Sequence, residues 1–157
     1  IFVNTFIKGA NELLSVAFII GLARGVTIIM EDGLISDTLL YYSSSFTDGM
    51  NKGLFINSTM FIYSGLSFFI PSSSGMAVLT MPVLSPLADT VSLGREHVVN
   101  AYLLGVGLFA FINPTGLILA SLAIVKVGFD KWLKFITPLI IILTLISVIF
   151  LTISAYL

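Results

Sequence analysis

The stretch Phe69-Ile70-Pro71-Ser72-Ser73-Ser74-Gly75-Met76 interrupts a run of 36 residues, Gly53 to Ala88, that contains no Asp, Glu, Lys or Arg. An apolar run precedes it at 54–70, and a shorter apolar run follows it at 76–88. A membrane-buried helix tolerates Pro, three hydroxyls and Gly only where protein or a wet cavity satisfies the freed backbone groups. Because such breaks hold substrates and coupling ions in transporters, we predict a binding site at this tip.

The composition of the whole chain is that of an integral membrane protein. Its 157 residues are 57% hydrophobic and only 10% charged, with a mean hydropathy of +1.11. Soluble domains carry about 25% charged residues, so this chain lacks the polar surface to cover a water-soluble fold. The net charge of −1 gives no case for nucleic acid as a partner, and the single histidine, His97, excludes a multi-histidine metal cluster. The lack of cysteine excludes disulfides and thiol chemistry.

The first third of the chain is predicted to hold one span and two interfacial segments. Residues 1–12 are amphipathic and either lie in the interface plane or fray as the end of a cut chain, since the sequence begins without an initiator Met. Residues 13–30 are just long enough to span the membrane as a helix. They contain Arg24, an intramembrane functional-site candidate that could instead snorkel to the interface or pair with Glu31. Residues 34–48 are too polar to span, and their two tyrosines favour an interfacial helix.

Two short arms flank the serine-rich tip. They have 17 and 13 residues, which as helices are about 25 Å and about 20 Å long, against about 30 Å for the hydrocarbon core. We therefore predict that 54–88 is a re-entrant helical hairpin, which enters and leaves the membrane by the same face. One continuous kinked span is the alternative, and the helix breakers Pro71, Gly75, Pro82 and Pro86 disfavour it.

The last third of the chain contains a second uncharged break. Residues 98–125 carry no charge and are interrupted by Asn113-Pro114-Thr115-Gly116, so we predict one broken span. A loop at 126–134 follows, and 135–157 is the clearest ordinary span, with Pro138 tolerated near its start. The predicted fold is therefore all-α, with about three transmembrane helices, a re-entrant hairpin and an interfacial helix.

The basic residues give the predicted orientation. Lys8 and the lysines of 126–134 fall on one face, whereas Lys52 and Arg95 fall on the other together with most acidic residues. The positive-inside rule places the first group in the cytoplasm. The hairpin then opens to the exterior, and the chain is a multi-pass protein of the cell (inner) membrane.

If the two breaks meet at mid-membrane, they form one site with an anion pole and a cation pole. A helix that begins after a break presents free N–H groups and a positive dipole end to a carboxylate. A helix that ends before a break presents free carbonyls, which are oxygen ligands that suit sodium. Either break alone could instead only kink its helix. The predicted substrate and ion site comprises Ser72, Ser73, Ser74, Gly75, Asn113, Pro114, Thr115, Gly116 and Arg24, with sodium at Ser73, Ser74, Asn113 and Thr115.

The sequence presents no catalytic set. Ser72, Ser73 and Ser74 lack a nearby base, and His97 stands in a charged loop as a solvated residue. An intramembrane enzyme would need an acid, base or metal at depth, and only Arg24 is charged there. We therefore predict that the chain is not an enzyme and needs no cofactor besides a sodium coupling ion.

The sequence resembles a known transporter family at these same residues. The run Phe69 to Asp89, FIPSSSGMAVLTMPVLSPLAD, looks like the signature of the YfcC family, which belongs with the anaerobic C4-dicarboxylate carriers and the arginine/ornithine-antiporter-like proteins. The run Ile-Ile-Gly-Leu-Ala-Arg-Gly at 19–25 and the break at Pro114 and Thr115 also fit. The resemblance covers essentially the whole chain, and it implies the C-terminal half of a longer carrier.

The layout is also similar to that of the divalent-anion/sodium symporters of the ion transporter superfamily. Those proteins have inverted repeats, re-entrant hairpins tipped by Ser-Asn-Thr, and a following span broken near Thr-Pro. The resemblance places the three serines at the hairpin tip and 113–116 at the broken span, with Ser73-Ser74 in place of the Asn-Thr of that motif. It implies one inverted repeat of an elevator-type transporter that forms a homodimer, with a scaffold domain and a moving transport domain.

The leading prediction is therefore a secondary active transporter of a small organic anion or amino acid. Substrate and coupling ion would be held between the hairpin tip and the broken helix. The alternative is a structural or anchoring membrane subunit, in which the breaks serve only packing. The sequence leaves open dicarboxylate or basic amino acid, symport or antiport, and sodium or proton coupling.

Overall fold

The computed structural model describes residues 2–47, 49–70, 72–114 and 117–157, and every regular element within them is a helix. This all-helical architecture agrees with the prediction of an all-α membrane protein. In chain order the helices are α1 (Phe2–Asp32), α2 (Ile35–Thr47), α3 (Lys52–Phe69), α4 (Ser73–Thr90), α5 (Arg95–Ala110), α6 (Leu117–Ile124) and α7 (Phe129–Tyr156).

Helix α1 is continuous, so the predicted lead-in at 1–12 and the predicted span at 13–30 lie in one helix. No proline occurs in this part of the sequence to separate them. The helix ends where the amide of Gly33 bonds to the carbonyl of Ile29 at 3.0 Å and Leu34 adopts a positive φ of 53°. Helix α1 packs beside α2 and α6. That its first turns lie in the membrane interface stays a prediction.

The chain turns back on itself between α3 and α4. The hydroxyl oxygens of Tyr63 on α3 and Thr80 on α4 lie 3.3 Å apart. At the far end, Lys52 at the start of α3 and Thr90 at the end of α4 line the same cavity. The two helices are therefore antiparallel neighbours rather than one kinked rod. We call the Ser72–Gly75 end of the pair the tip and the Lys52 and Thr90 end the base.

Prolines do not end helices here where the sequence analysis expected them to. Pro82 and Pro86 lie inside α4, which has 18 residues instead of the predicted 13. They stand four residues apart on an exposed face, so the two carbonyls that lose a helical partner lie on that face rather than in the core. Helix α7 begins at Phe129 rather than 135 and includes Pro138 in its third turn. The predicted loop at 126–134 is therefore wrong in its second half.

Helix α3 is the centre of the fold, because α4, α5 and α7 all pack against it. The closest approach is at Gly105 of α5, where a Cβ would overlap the carbonyl oxygen of Met60. The hydroxyl of Ser64 donates to the carbonyl of Gly105 at 3.0 Å beside this contact. Small residues permit such backbone contact between membrane helices. The fully buried large side chains of α3 are Phe55, Ile56, Met60 and Tyr63.

Two helix connections have the same geometry, the turn at 91–94 between α4 and α5 and the turn at 125–128 between α6 and α7. The second residue of each, Ser92 or Lys126, is left-handed with a φ of 55°. The third donates its amide to a carbonyl five residues back, at 2.9 Å and 3.0 Å, which closes a Schellman-type cap. The fourth is a glycine that directly precedes the next helix. Helices α5 and α7 therefore start from matching corners.

The levels of the other helices can be compared along the length of α7. Of the helices described, it alone is long and apolar enough by itself to cross a membrane. Its 28 residues correspond to about 42 Å of helix. The base of the α3–α4 pair is level with its last turns, because Asn57 donates to the hydroxyl of Thr152 at 2.8 Å. The end of α5 is level with its middle, because Ile112 lines one cavity with Ile140 and Thr144.

Candidate functional site

The tip begins with a serine that caps α4. The Ser72 hydroxyl accepts a hydrogen bond from the amide of Gly75 at 3.2 Å, and the Ser72 carbonyl accepts one from Met76 at 2.9 Å. These two bonds satisfy amides of the first turn, which is the usual role of serine at this position. Ser73 and Ser74 are exposed, and their hydroxyls form no hydrogen bond with a described residue. Both hydroxyls are therefore available to a ligand, next to the positive end of an 18-residue helix.

The second break reaches back to the first. Asn113 is 6% exposed, and its side-chain amide donates to the carbonyl of Ser67 at 3.2 Å. Ser67 is buried in the last turn of α3, which leads into the tip. The backbone amide of Asn113 donates to the carbonyl of Phe109 at 2.9 Å, so the break begins as an extra turn of α5. The structure thus joins the second interruption to the last turn of α3, five residues before Ser72, through a buried hydrogen bond.

Two tyrosines that the sequence analysis assigned to no site complete the support of the tip. The hydroxyl of Tyr102 on α5 donates to the carbonyl of Ser73 at 2.7 Å. The ring of Tyr102 packs edge-on against Tyr63, with centroids 5.1 Å apart and planes at 78°. Buried tyrosine hydroxyls usually find a partner. A tyrosine within a charge-free run is therefore a signal that its hydroxyl needs a hydrogen-bond partner. The sequence does not indicate which carbonyl that partner is.

Several backbone carbonyls around the tip already accept hydrogen bonds within the chain. Helix α3 ends with the carbonyl of Leu66 bonded to the amide of Ile70 at 2.8 Å, and the next carbonyl accepts from Asn113. The Ser73 carbonyl accepts from Tyr102. In the described chain no three His, Cys, Asp or Glu side chains come together, so an ion here would rely on hydroxyls and on second lone pairs of carbonyls.

Part of the predicted site stands apart from these contacts. Pro114 follows Asn113 and is half-buried, whereas Thr115 and Gly116 lie outside the described residues, as does Pro71 in the first break. Arg24 lies in α1, which packs beside α6, the helix that follows the second break. The contribution of Arg24 to substrate binding and the sodium site at Ser73, Ser74, Asn113 and Thr115 stay predictions.

Charged groups gather at the base rather than at the tip. Arg95 donates to the carboxylate of Asp89 through two nitrogens, the shortest contact being 2.5 Å. The hydrogen bond from Arg95 holds the pKa of the Asp89 carboxyl below its ordinary value, and the same bond raises the pKa of the Arg95 guanidinium. Both side chains are exposed. The pair ties the end of α4 to the start of α5 and leaves the tip free of described charges.

Comparison with known proteins gives a consistent picture. The family model for DcuC, a C4-dicarboxylate anaerobic carrier, matches residues 2–156. A Haemophilus influenzae protein named only "Uncharacterized protein" is 45% identical over 151 residues, which cover 96% of this chain and 30% of the relative. The "Putative basic amino acid antiporter YfcC" of Escherichia coli is 31% identical over 137 residues, which cover 83% of this chain and 27% of the relative. No solved structure matches significantly. The chain therefore spans less than a third of these relatives.

Proposed function

Because the chain belongs to the DcuC family of C4-dicarboxylate anaerobic carriers, we propose that it is part of the C-terminal half of a secondary active transporter. The carrier moves a small organic anion or amino acid across the membrane, with the substrate and a coupling ion held between the tip and the second break. The observation that supports the proposal is the bond from Asn113 to the Ser67 carbonyl, which holds the second break against the last turn of α3, the helix that leads into the tip.

The depth of the tip supports a re-entrant arrangement. Gly53 at the base bonds to the hydroxyl of Tyr156, the last helical residue of α7. From Gly53 to Ser67, α3 rises about 21 Å, and Ser67 is bonded to the break that lies beside the middle of α7. If α7 spans the membrane, the α3–α4 pair enters from the base, reaches the midplane and returns.

The chemistry of the tip fits a carboxylate. The hydroxyls of Ser73 and Ser74 and the first amides of α4 are donors, and the positive end of the α4 dipole points the same way. Hydroxyl oxygens of the same serines, together with backbone carbonyls, are the type of ligand that a sodium ion takes. A dicarboxylate and a basic amino acid both carry the group that this end would bind. The substrate is therefore proposed as a small carboxylate, in either form.

Transport by the reconstituted carrier tests the proposal. Uptake of labelled succinate and of labelled arginine into liposomes is measured for the full-length protein and for Ser73→Ala and Thr115→Val. We expect both variants to lose most of the uptake, and thermal stabilisation by the transported solute to fall with it. A carrier in which both variants transport as well as the wild type would overturn the site. A full-length protein that neither transports nor is stabilised by any solute would favour the anchoring alternative.

The assembly is part of the same proposal. The family resemblance implies a homodimer in which a transport domain moves against a scaffold, with this chain as one of two inverted repeats. Cross-linking of the full-length carrier in the membrane, followed by mass determination, tests the dimer. A species of monomer mass alone would remove that part of the proposal and leave the substrate site intact.

A further inference from the structure

A polar cavity lies at the base of the α3–α4 pair, away from the tip. Its volume is about 490 Å³, within the range of small-molecule sites. The turn at 49–51, Lys52, Thr90 and Tyr156 line it. Because these residues begin α3, end α4 and end α7, the cavity opens where the pair starts and finishes. It is therefore separate from the proposed site between the two breaks.

Lys52, Tyr156 and Asn51 supply hydrogen-bond donors to this cavity, whereas the Thr90 hydroxyl donates its proton to the Leu87 carbonyl at 2.7 Å. Lys52 is half-buried and forms no ion pair with a described residue. The hydroxyl of Tyr156 accepts from the amide of Gly53 at 3.4 Å, so its own proton is available to a ligand. The side-chain oxygen of Asn51 accepts from the amide of Leu54 at 2.9 Å, and its amino group is a further donor.

Among the described residues that line the cavity, Lys52 carries the charge. No acidic residue is among its described lining. Asp89, which precedes Thr90, is already paired with Arg95, and Asp48, which precedes the turn, lies outside the described residues. The ammonium of Lys52 therefore stands among donors without a described counter-charge. Anionic ligands with two acceptor oxygens, such as carboxylates, match this combination.

We propose that this cavity is an outer docking site for a small carboxylate, which collects the solute at the base before it passes to the tip. The identity of the solute rests on the proposed function, whereas the binding rests on the cavity alone. A positive charge in an open cavity raises the local concentration and the encounter rate of an anion, and salt weakens both effects. The docking site should therefore affect the apparent KM for uptake at low salt more than the maximal rate.

A fluorescent reporter at the cavity wall tests the docking site directly. Val91→Cys is labelled with an environment-sensitive dye in the full-length carrier, after removal of any cysteines outside these 157 residues, which contain none. We expect succinate to change the fluorescence in a saturable manner at low salt. Lys52→Gln should weaken the apparent affinity about threefold to fivefold, in line with a partly exposed ion pair, and Lys52→Arg should retain it.

Two controls sharpen this titration. Lys131→Gln removes the same charge at the far end of α7 and should leave the succinate response unchanged. Agmatine, a cation without a carboxylate, should give no response. Equal affinities in the wild type and Lys52→Gln, or an equal response to agmatine, would overturn the docking site.

A tip variant separates this inference from the proposed function. In Ser73→Ala the reporter should still respond to succinate, although uptake is lost. Unchanged uptake in Ser73→Ala and Thr115→Val would overturn the transport site, but a response that depends on Lys52 would still support the docking site. Conversely, uptake that depends on Ser73 together with a response that ignores Lys52 would remove the docking site alone.

Discussion

Tyr102→Phe removes a single oxygen atom from the support of the tip. The hydroxyl donates to the Ser73 carbonyl at 2.7 Å, whereas the ring contact with Tyr63 at 5.1 Å does not need the oxygen and survives the change. A neutral hydrogen bond contributes about 1 kcal/mol net. Because Ser73 is exposed, water can replace the lost donor, so no larger penalty for a buried carbonyl is expected. A free energy of about 1 kcal/mol corresponds to about a fivefold change in an equilibrium.

Hydrogen exchange measured by mass spectrometry on the full-length carrier provides the assay. We expect the amides of 73–76 to exchange about fivefold faster in Tyr102→Phe than in the wild type, since exchange follows local opening. Amides in the middle of α3 should be unaffected. Tyr41→Phe is the matched control, because Tyr41 is 69% exposed on α2 and its hydroxyl forms no hydrogen bond with a described residue.

Two results would refute the reasoning. Identical exchange at the tip in the wild type and Tyr102→Phe would mean that the hydroxyl does not hold the Ser73 carbonyl in the membrane-embedded carrier. An equal acceleration over all of α3, α4 and α5 would mean that the change loosens the whole bundle rather than the tip.

Three further predictions concern the packing and the charges around this site. Gly105→Ala places a Cβ against a carbonyl of α3, and such overpacking costs about 1–3 kcal/mol, so the apparent Tm of the detergent-solubilised carrier should fall. Gly107→Ala, which meets open space, should leave that Tm unchanged, and equal Tm values for both variants would contradict the close contact. Asn113→Asp replaces the side-chain donor that binds the Ser67 carbonyl by an acceptor, which should lower the free energy of unfolding by about 1–3 kcal/mol. Thermal stability and uptake should fall together. A variant with full uptake would count against the contact. Because the pKa of Asp89 is lowered in the fold, its ion pair stabilises the carrier above the ordinary carboxyl pKa of about 3.9, and this stability is lost as the pH falls through the lower folded value. The Tm difference between the wild type and Asp89→Asn should therefore shrink on acidification, and a constant difference would refute this assignment.

Local sequence signals located the breaks correctly because each break is a local event. Pro71 and Pro114 stand beside small polar residues in long charge-free runs, and the described helices end and restart around both positions. The same reasoning failed at Pro82 and Pro86. A proline removes one helical hydrogen bond, but the carbonyls freed by Pro82 and Pro86 lie on an exposed face of α4 rather than in the core, and the helix continues through both positions.

The hydrogen bonds that tie each break to a neighbouring helix depend on pairs of residues far apart in the sequence. Asn113 and Ser67 are separated by 46 positions, and Tyr102 and Ser73 by 29. A polar side chain in an apolar run must find a partner, but a single sequence gives no measure of which carbonyl lies within reach. Only the packing of α5 against α3 and α4 decides which carbonyls Asn113 and Tyr102 bind.

Helices α3 and α5 are interlocked where Gly105 meets the Met60 carbonyl and accepts the Ser64 hydroxyl. Sliding of one helix along the other would drive backbone into backbone, so shear between them is blocked. The first break follows α3 and the second follows α5, so the interlocked pair keeps the starting points of both breaks at a fixed distance from each other.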